Sequence, residues 1–155
     1  MEQIEVFDAA SEVLVYDVKN HRVLTDSLLF SKDAFETFPS FSPDGKTLYF
    51  SSAKAQQMPK DYKKVKYSLC SISFDAEQGR FGKQVDTLFS AEKEGKTAIL
   101  PRVSPDGRFL VFTQADYGNF AIWHKEADLY LLDLKDGQVK AIPEVNSVEA
   151  ESYHA

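Results

Sequence analysis

Apolar and polar side chains alternate along much of this 155-residue chain with a period of two residues. Leu48 and Phe50, for example, alternate with Tyr49 and Ser51. This period is typical of a β-strand whose two faces meet different surroundings, and no segment shows a sustained helical period. The pattern therefore predicts an all-β chain. The predicted strands lie at residues 12–18, 21–25, 38–42, 46–52, 66–74, 82–89, 99–104, 108–114, 127–134 and 138–142.

A turn motif, Ser-Pro-Asp-Gly, occurs twice, and the segments 38–51 and 100–113 around it align without a gap at an offset of 62 residues. In such a turn proline fixes φ for a type I geometry and glycine takes the left-handed position that closes it. Aspartate between them hydrogen-bonds locally, so turn chemistry explains the motif without a catalytic role for its carboxylates. The predicted turn residues are Pro43, Asp44, Gly45, Pro105, Asp106 and Gly107.

A second repeat joins the two ends of the chain, because residues 12–18 align with 128–134 at an offset of 116. Repeated units of four antiparallel strands predict β-propeller blades, each a four-stranded meander. The chain then forms a single partial propeller (1–155) with about two complete blades and two partial ones. Residues 12–25 supply the last two strands of one blade, 36–90 and 98–143 form complete blades, and 151–155 start the next.

The turn motif, followed by Lys or Arg and then by Leu-x-Phe, resembles the repeat of TolB-type, WD-repeat-like propellers from the bacterial periplasm. The resemblance covers about residues 12–155 and identifies the fold rather than the function. It implies a noncatalytic scaffold that binds a protein or a ligand in the periplasm or cell envelope. Residues 1–5 do not have the pattern of a signal peptide.

The number of blades predicts either a longer protein or self-association. Closed propellers have about four to eight blades, and fewer than three are predicted here, which would leave strand edges exposed. In a self-associated form, strands 12–25 of one copy would complete the blade begun at Glu151 in another.

Composition narrows the possible partners. The chain has 18 Lys and Arg against 24 Asp and Glu, and this net charge of −6 disfavours nucleic-acid binding. Its apolar runs, such as 129–132, are far shorter than the roughly 20 residues of a membrane-spanning helix. Cys70, the single cysteine, lies in an alternating strand pattern, which predicts a small buried side chain rather than a reactive thiol.

The long connections at 26–37, 53–65, 90–98 and 115–126 are expected at one end of the sheets, opposite the tight turns. Loops on a rigid scaffold commonly carry binding residues. The segment 54–66 holds five lysines and one aspartate, so Lys63 and Lys64 are candidates for contacting an anionic partner. A solvated basic loop is the alternative interpretation.

The segment 116–128 concentrates aromatic side chains and includes the single tryptophan. Tyr117, Trp123 and His124 are candidates for stacking on a sugar ring or anchoring a peptide. The favoured alternative is that Phe120, Ile122 and Trp123 pack between blades.

Enzyme motifs are absent from the sequence, which contains no Gly-x-Ser-x-Gly, no His-Glu-x-x-His and no paired cysteines. We therefore predict no catalytic residue, cofactor or metal. His124, Glu126 and Asp128 alternate, but residues two apart on a strand converge poorly on one ion. Two other functions stay open. One is an accessory propeller of a larger enzyme, such as a prolyl-oligopeptidase-type serine peptidase, and the other is a glycan-binding or lyase propeller.

Overall fold

The computed structural model describes residues 10–151, except for the Trp123 side chain. The predicted start of a further blade at 151–155 therefore lies outside the described residues, apart from Glu151. Ten strands are present in the described part of the chain. They are β1 (Val15–Asp17), β2 (Arg22–Leu24), β3 (Ala34–Phe41), β4 (Thr47–Lys54), β5 (Ser68–Asp75), β6 (Arg80–Phe89), β7 (Thr97–Val103), β8 (Phe109–Ala115), β9 (Asp128–Asp133) and β10 (Val139–Ala141).

Within each of the three sheets of the described residues, strands that follow one another in sequence pair antiparallel. The first sheet is the hairpin β1–β2, the second is the meander β3–β4–β5–β6, and the third is the meander β7–β8–β9–β10. Two four-stranded meanders with a two-stranded hairpin before them confirm the prediction of an all-β fold built from propeller blades.

The sheets stack face to face, so that the central strand β4 is buried on both sides. Leu48 and Phe50 pack with Val13 on the side of the first sheet. Tyr49, between them in sequence, packs with Leu110 of the third sheet on the other side. The period-two pattern of β4 therefore supplies two different inter-sheet cores. Burial of each such Leu or Phe side chain stabilises the fold by about 1.5–3 kcal/mol.

The two Ser-Pro-Asp-Gly turns have the same geometry. In the first, the Ser42 hydroxyl donates to the Asp44 carboxylate at 2.6 Å, and the Lys46 amide donates to it at 3.1 Å. Gly45 has a φ of 69°. The second turn repeats the serine and amide contacts at Asp106, and Gly107 has a φ of 71°. These hydrogen bonds, first of all from serine, lower the pKa of both aspartates.

The first strand of each four-stranded sheet begins earlier than predicted, β3 at residue 34 rather than 38 and β7 at 97 rather than 99. Each contains a bulge at the equivalent place, next to Phe38 with a φ of 53° and Leu100 with a φ of 56°. A bulge adds a residue to one strand and shifts its alternation. The alternation of side chains before the bulge is therefore out of phase with the alternation after it, and the sequence pattern identifies only the part after the bulge.

The connections contain three short helical segments in the described residues. Helix α1 (Ala91–Glu94) is capped at both ends. The Ser90 side chain at the N-cap accepts a hydrogen bond from the Lys93 amide, and Gly95 at the C-cap has a φ of 68°. Single turns of 3₁₀ helix occur at Tyr62–Lys64 and Ala121–Trp123, within the two loops that the sequence identifies as candidate binding segments.

Candidate functional site

The β4–β5 and β8–β9 connections lie at the same end of the second and third sheets, because both sheets are simple meanders. Direct contacts join the two loops. The Gly118 amide donates to the Val65 carbonyl at 2.8 Å. Thr97, which is fully buried, accepts a hydrogen bond from the Tyr67 amide at 2.9 Å and donates one to the Gly118 carbonyl at 3.0 Å. The two candidate segments therefore form one continuous surface.

An aromatic cluster forms where the loops meet, and we define it by Tyr62, Lys63, Tyr117 and His124. The Tyr117 ring packs edge to face against Tyr62, with centroids 5.6 Å apart, and against His124, with centroids 4.5 Å apart. The Lys63 ammonium group lies 5.7 Å from the Tyr62 ring centroid and 5.9 Å from that of Tyr117. At these distances the Lys63 ammonium group is attracted to the faces of both tyrosine rings by cation–π interactions. The structure thus brings together three of the predicted site residues.

An ion pair and a histidine–carboxylate contact lie at the aromatic cluster. Lys96 contacts Asp116 at 2.6 Å, and this hydrogen bond raises the pKa of Lys96 and lowers that of Asp116. His124 Nδ1 lies 2.8 Å from Glu126 Oε1. Burial acts to raise the pKa of Glu126, but a backbone hydrogen bond and the contact with His124 outweigh it, so the pKa is lowered overall. His124 is itself buried, so these contacts fix its ring.

Exposed apolar side chains extend the surface outward. Phe120 is 62% exposed, Ile122 is 55% exposed and Tyr62 is 41% exposed. The expectation that Phe120 and Ile122 pack between blades is therefore wrong. The 3₁₀ turn after Phe120 buries Ala121 instead and directs its neighbours to solvent. For the predicted residue Trp123 only the backbone is among the described parts of the chain.

Lys64, the remaining candidate, is exposed and contacts Asp61 within its own 3₁₀ turn at 2.8 Å. It does not take part in the ring contacts of its neighbour Lys63. The two neighbouring lysines thus differ in surroundings, since Lys63 lies near the rings of Tyr62 and Tyr117 and Lys64 contacts Asp61.

A groove of about 910 Å³ between the second and third sheets is a feature that sequence reasoning missed. Its lining combines Thr87 of β6, Lys93 of α1, Gln114 of β8 and Tyr130 of β9. No sequence motif connects these residues, which are distant in the chain and become neighbours when the sheets stack.

Among residues 10–151, no group of three or more His, Cys, Asp or Glu is placed to hold a metal ion. No helix in that range has the length and apolarity needed to cross a bilayer.

No protein-family model matches the chain, and no curated protein matches it. Among solved structures, the protein described as putative TolB from Agrobacterium tumefaciens is 18% identical with a TM-score of 0.58, over 84% of this chain and 40% of that one. TolB from Acinetobacter baumannii is 22% identical with a TM-score of 0.50, over 83% of this chain and 25% of that one. The chain thus spans less than half the length of either structure. The likeness confirms the resemblance seen in the repeats, and the chain has the fold of part of a TolB-type β-propeller.

Proposed function

We propose that this chain is part of a noncatalytic propeller scaffold that binds a protein partner at the end where its long loops lie. One observation carries the proposal: loops from two adjacent sheets are hydrogen-bonded into a single surface around the Tyr62–Tyr117 ring pair. Aromatic side chains on a rigid support are frequent anchors of protein interfaces, because they bury a large area at a small entropic cost.

The chemistry of the surface favours an acidic partner with apolar anchors. Phe120 and Ile122 offer exposed apolar area, and Lys63 adds exposed positive charge beside it. Lys125 is also exposed, with its ammonium group 3.9 Å from the Glu149 carboxylate. This local charge contrasts with the net charge of −6 of the whole chain. A peptide with acidic and bulky apolar residues would complement both features, since opposite potentials orient and select partners.

The noncatalytic part of the proposal is supported by the surroundings of the single cysteine, Cys70. Cys70 is buried, and burial raises the pKa of its thiol to about 11. Its nucleophilic thiolate is therefore scarce near neutral pH.

A peptide-display selection on the 155-residue chain tests the binding function. We expect selected peptides to be rich in acidic and bulky apolar residues. Ile122→Asp and Lys63→Glu should each weaken the binding of a synthetic peptide of this class by about tenfold or more. Lys135→Glu, a charge reversal in the β9–β10 turn at the other end of the sheet, is the matched control and should bind normally.

Three outcomes would each contradict part of this proposal. Selected peptides that bind all of these variants equally would place the interface elsewhere on the chain. A glycan array that gives specific binding, with no peptide selected, would favour the glycan-binding alternative instead. A Gly-x-Ser-x-Gly sequence elsewhere in the same gene would favour an accessory propeller of a serine peptidase.

We also propose a location in the periplasm or cell envelope, on the basis of the likeness to TolB structures. Fractionation of cells that express the complete gene product with a C-terminal tag tests this location. The tag should appear with periplasmic or envelope markers, and its recovery with cytoplasmic markers would contradict the proposal.

A further inference from the structure

The groove of about 910 Å³ between the second and third sheets is the solvent-facing continuation of the core that these sheets share. Tyr130 and Val139 form its wall on the third sheet. They pair across the sheet with Phe112 and Leu132, which are buried in that core, so their side chains point toward the second sheet. Leu88 of β6 lines the opposite wall. Both walls therefore belong to consecutive sheets of this chain.

Two neutral polar side chains of the third sheet line this groove without a hydrogen bond to any described residue. Gln114 lies two residues after Phe112 on β8 and shares its orientation, and its side-chain amide can both donate and accept. The Tyr130 hydroxyl has the same double capacity. Lys93 and Glu94 add one positive and one negative charge at the loop end. The lining therefore suits a neutral ligand rich in groups that both donate and accept.

The edge of β6 beside the groove is poorly suited to pairing with an extended peptide. Its register with β5 shifts at Leu88, which is an extra residue between the paired residues Thr87 and Phe89. Such a bulge interrupts the regular row of backbone groups along an edge strand, and proteins commonly use bulges to prevent the addition of another strand. A ligand in this groove is therefore held by side chains rather than by a backbone ladder.

The length and the apolar parts of the groove fit a chain of sugar rings. Its lining extends from Gln114, which pairs with the first residue of β9, to Gly137 in the turn after β9. The six residues of β9 span about 20 Å at about 3.3 Å per residue, which exceeds the length of one sugar ring. Tyr130 and Val139 also line the groove, and their aromatic and apolar surfaces can pack against the C–H groups of sugars.

We propose that this groove binds a neutral oligosaccharide of several sugar units. The Tyr130 ring packs against one sugar ring, and its hydroxyl and the Gln114 amide bond to sugar hydroxyls. Hydroxyl groups match these two side chains because each hydroxyl offers one donor and two acceptor positions. The proposal is independent of the protein-binding surface proposed above, since the groove lining and the aromatic cluster share no residue.

A glycan array probed with the 155-residue chain, followed by titration calorimetry with cello-, malto- and chito-oligosaccharides of increasing length, tests the proposal. We expect binding of at least one neutral series, with an affinity that rises with chain length until the groove is filled. Gln114→Leu removes the amide at nearly constant size, and Val139→Arg places a long side chain in the groove. Each should raise the dissociation constant by about tenfold or more.

Matched controls separate the groove from the rest of the surface. Gln78→Leu makes the same substitution in the exposed β5–β6 turn, and Gln138→Arg introduces the same arginine next to Val139 but outside the lining. Ile122→Asp, which should weaken peptide binding, should leave oligosaccharide binding unchanged. Circular dichroism and thermal unfolding establish that each variant folds, and Gln114→Ala and Val139→Lys replace any that does not.

Three results would overturn the proposal. The first is the absence of binding to every neutral glycan, both on the array and in calorimetry. The second is oligosaccharide binding that is unchanged in folded Gln114→Leu and Val139→Arg variants, or that is lost in Ile122→Asp. The third is a selected peptide whose binding is lost in Val139→Arg but kept in Ile122→Asp, which would assign the groove to a peptide instead.

Discussion

Glu36 lies on β3, the first strand of the second sheet, and is buried, with only 3% of its surface exposed. Its Oε2 atom has no hydrogen-bond partner among the described residues, although Ser52 bonds to the carboxyl group. The segment around Ser11 covers it, because the Glu36 amide donates to the Ser11 carbonyl at 2.8 Å. Burial, and then the nearby charge of Glu12, raise the pKa of Glu36 to about 6.

This shift predicts that Glu36 destabilises the fold as the pH rises. The folded pKa exceeds the ordinary value of 4.5, so folding favours the protonated form. That stabilisation is complete below about pH 4.5 and is lost as the pH rises through about 6. We expect Glu36→Gln to raise the free energy of unfolding by about 1–2 kcal/mol near pH 7.5, relative to wild type.

Urea unfolding of both proteins at about pH 4 and pH 7.5 measures this difference. Comparison at each pH cancels the contributions of other carboxylates, and Glu77→Gln, on an exposed turn, controls for the loss of one negative charge. A stability difference between Glu36→Gln and wild type that is the same at both pH values would contradict the assignment.

At the scale of single elements, the first Ser-Pro-Asp-Gly turn predicts that different substitutions at Gly45 lower the free energy of unfolding by different amounts. No atom lies within 4 Å of a Cβ placed there, so a substitution costs backbone strain rather than a steric clash. We expect Gly45→Ala to lower the free energy of unfolding by about 1–2 kcal/mol, because φ is 69°. Gly45→Asn should cost less, since asparagine tolerates the left-handed region better. Chemical unfolding midpoints that rank Asn below Ala would be evidence against this account.

The sequence predicts the strands of this fold, but it does not predict their bulges or the contacts between sheets. All ten predicted strands are present, since alternation and turn residues are local signals. The bulges at Phe38 and Leu100 are not predictable in this way, because residues other than glycine rarely adopt a positive φ. The Tyr62–Tyr117 contact depends on the stacking of two sheets, which no local pattern specifies. The exposure of Ile122 follows instead from the 3₁₀ turn Ala121–Trp123, in which Ala121 is the buried residue.

At the scale of the whole molecule, the sheets are joined in two places of different chemistry. Between the second and third sheets lies an apolar core, in which Leu69, Leu110 and Phe112 are fully buried. At the loop end, the junction is polar: the Gly118 amide donates to the Val65 carbonyl, and Thr97, the residue that begins β7, adds two further hydrogen bonds. Its hydroxyl connects the Tyr67 amide of the second sheet's loop with the Gly118 carbonyl of the third sheet's loop. These hydrogen bonds, with the Tyr62–Tyr117 ring contact, join the two loops of the candidate surface.

Removing the hydroxyl of Thr97 should loosen the surface and weaken the fold together. Thr97→Val keeps the shape of the side chain but deprives the Tyr67 amide and the Gly118 carbonyl of this partner, at a cost of about 1–3 kcal/mol in unfolding free energy. Thr97→Ser retains the hydroxyl and should lie closer to wild type. Urea unfolding gives the stability, and hydrogen exchange at the Tyr67 and Gly118 amides gives the local loosening. Valine and serine variants with equal stability and equal exchange at both amides would show that packing, rather than the hydroxyl, joins the two loops.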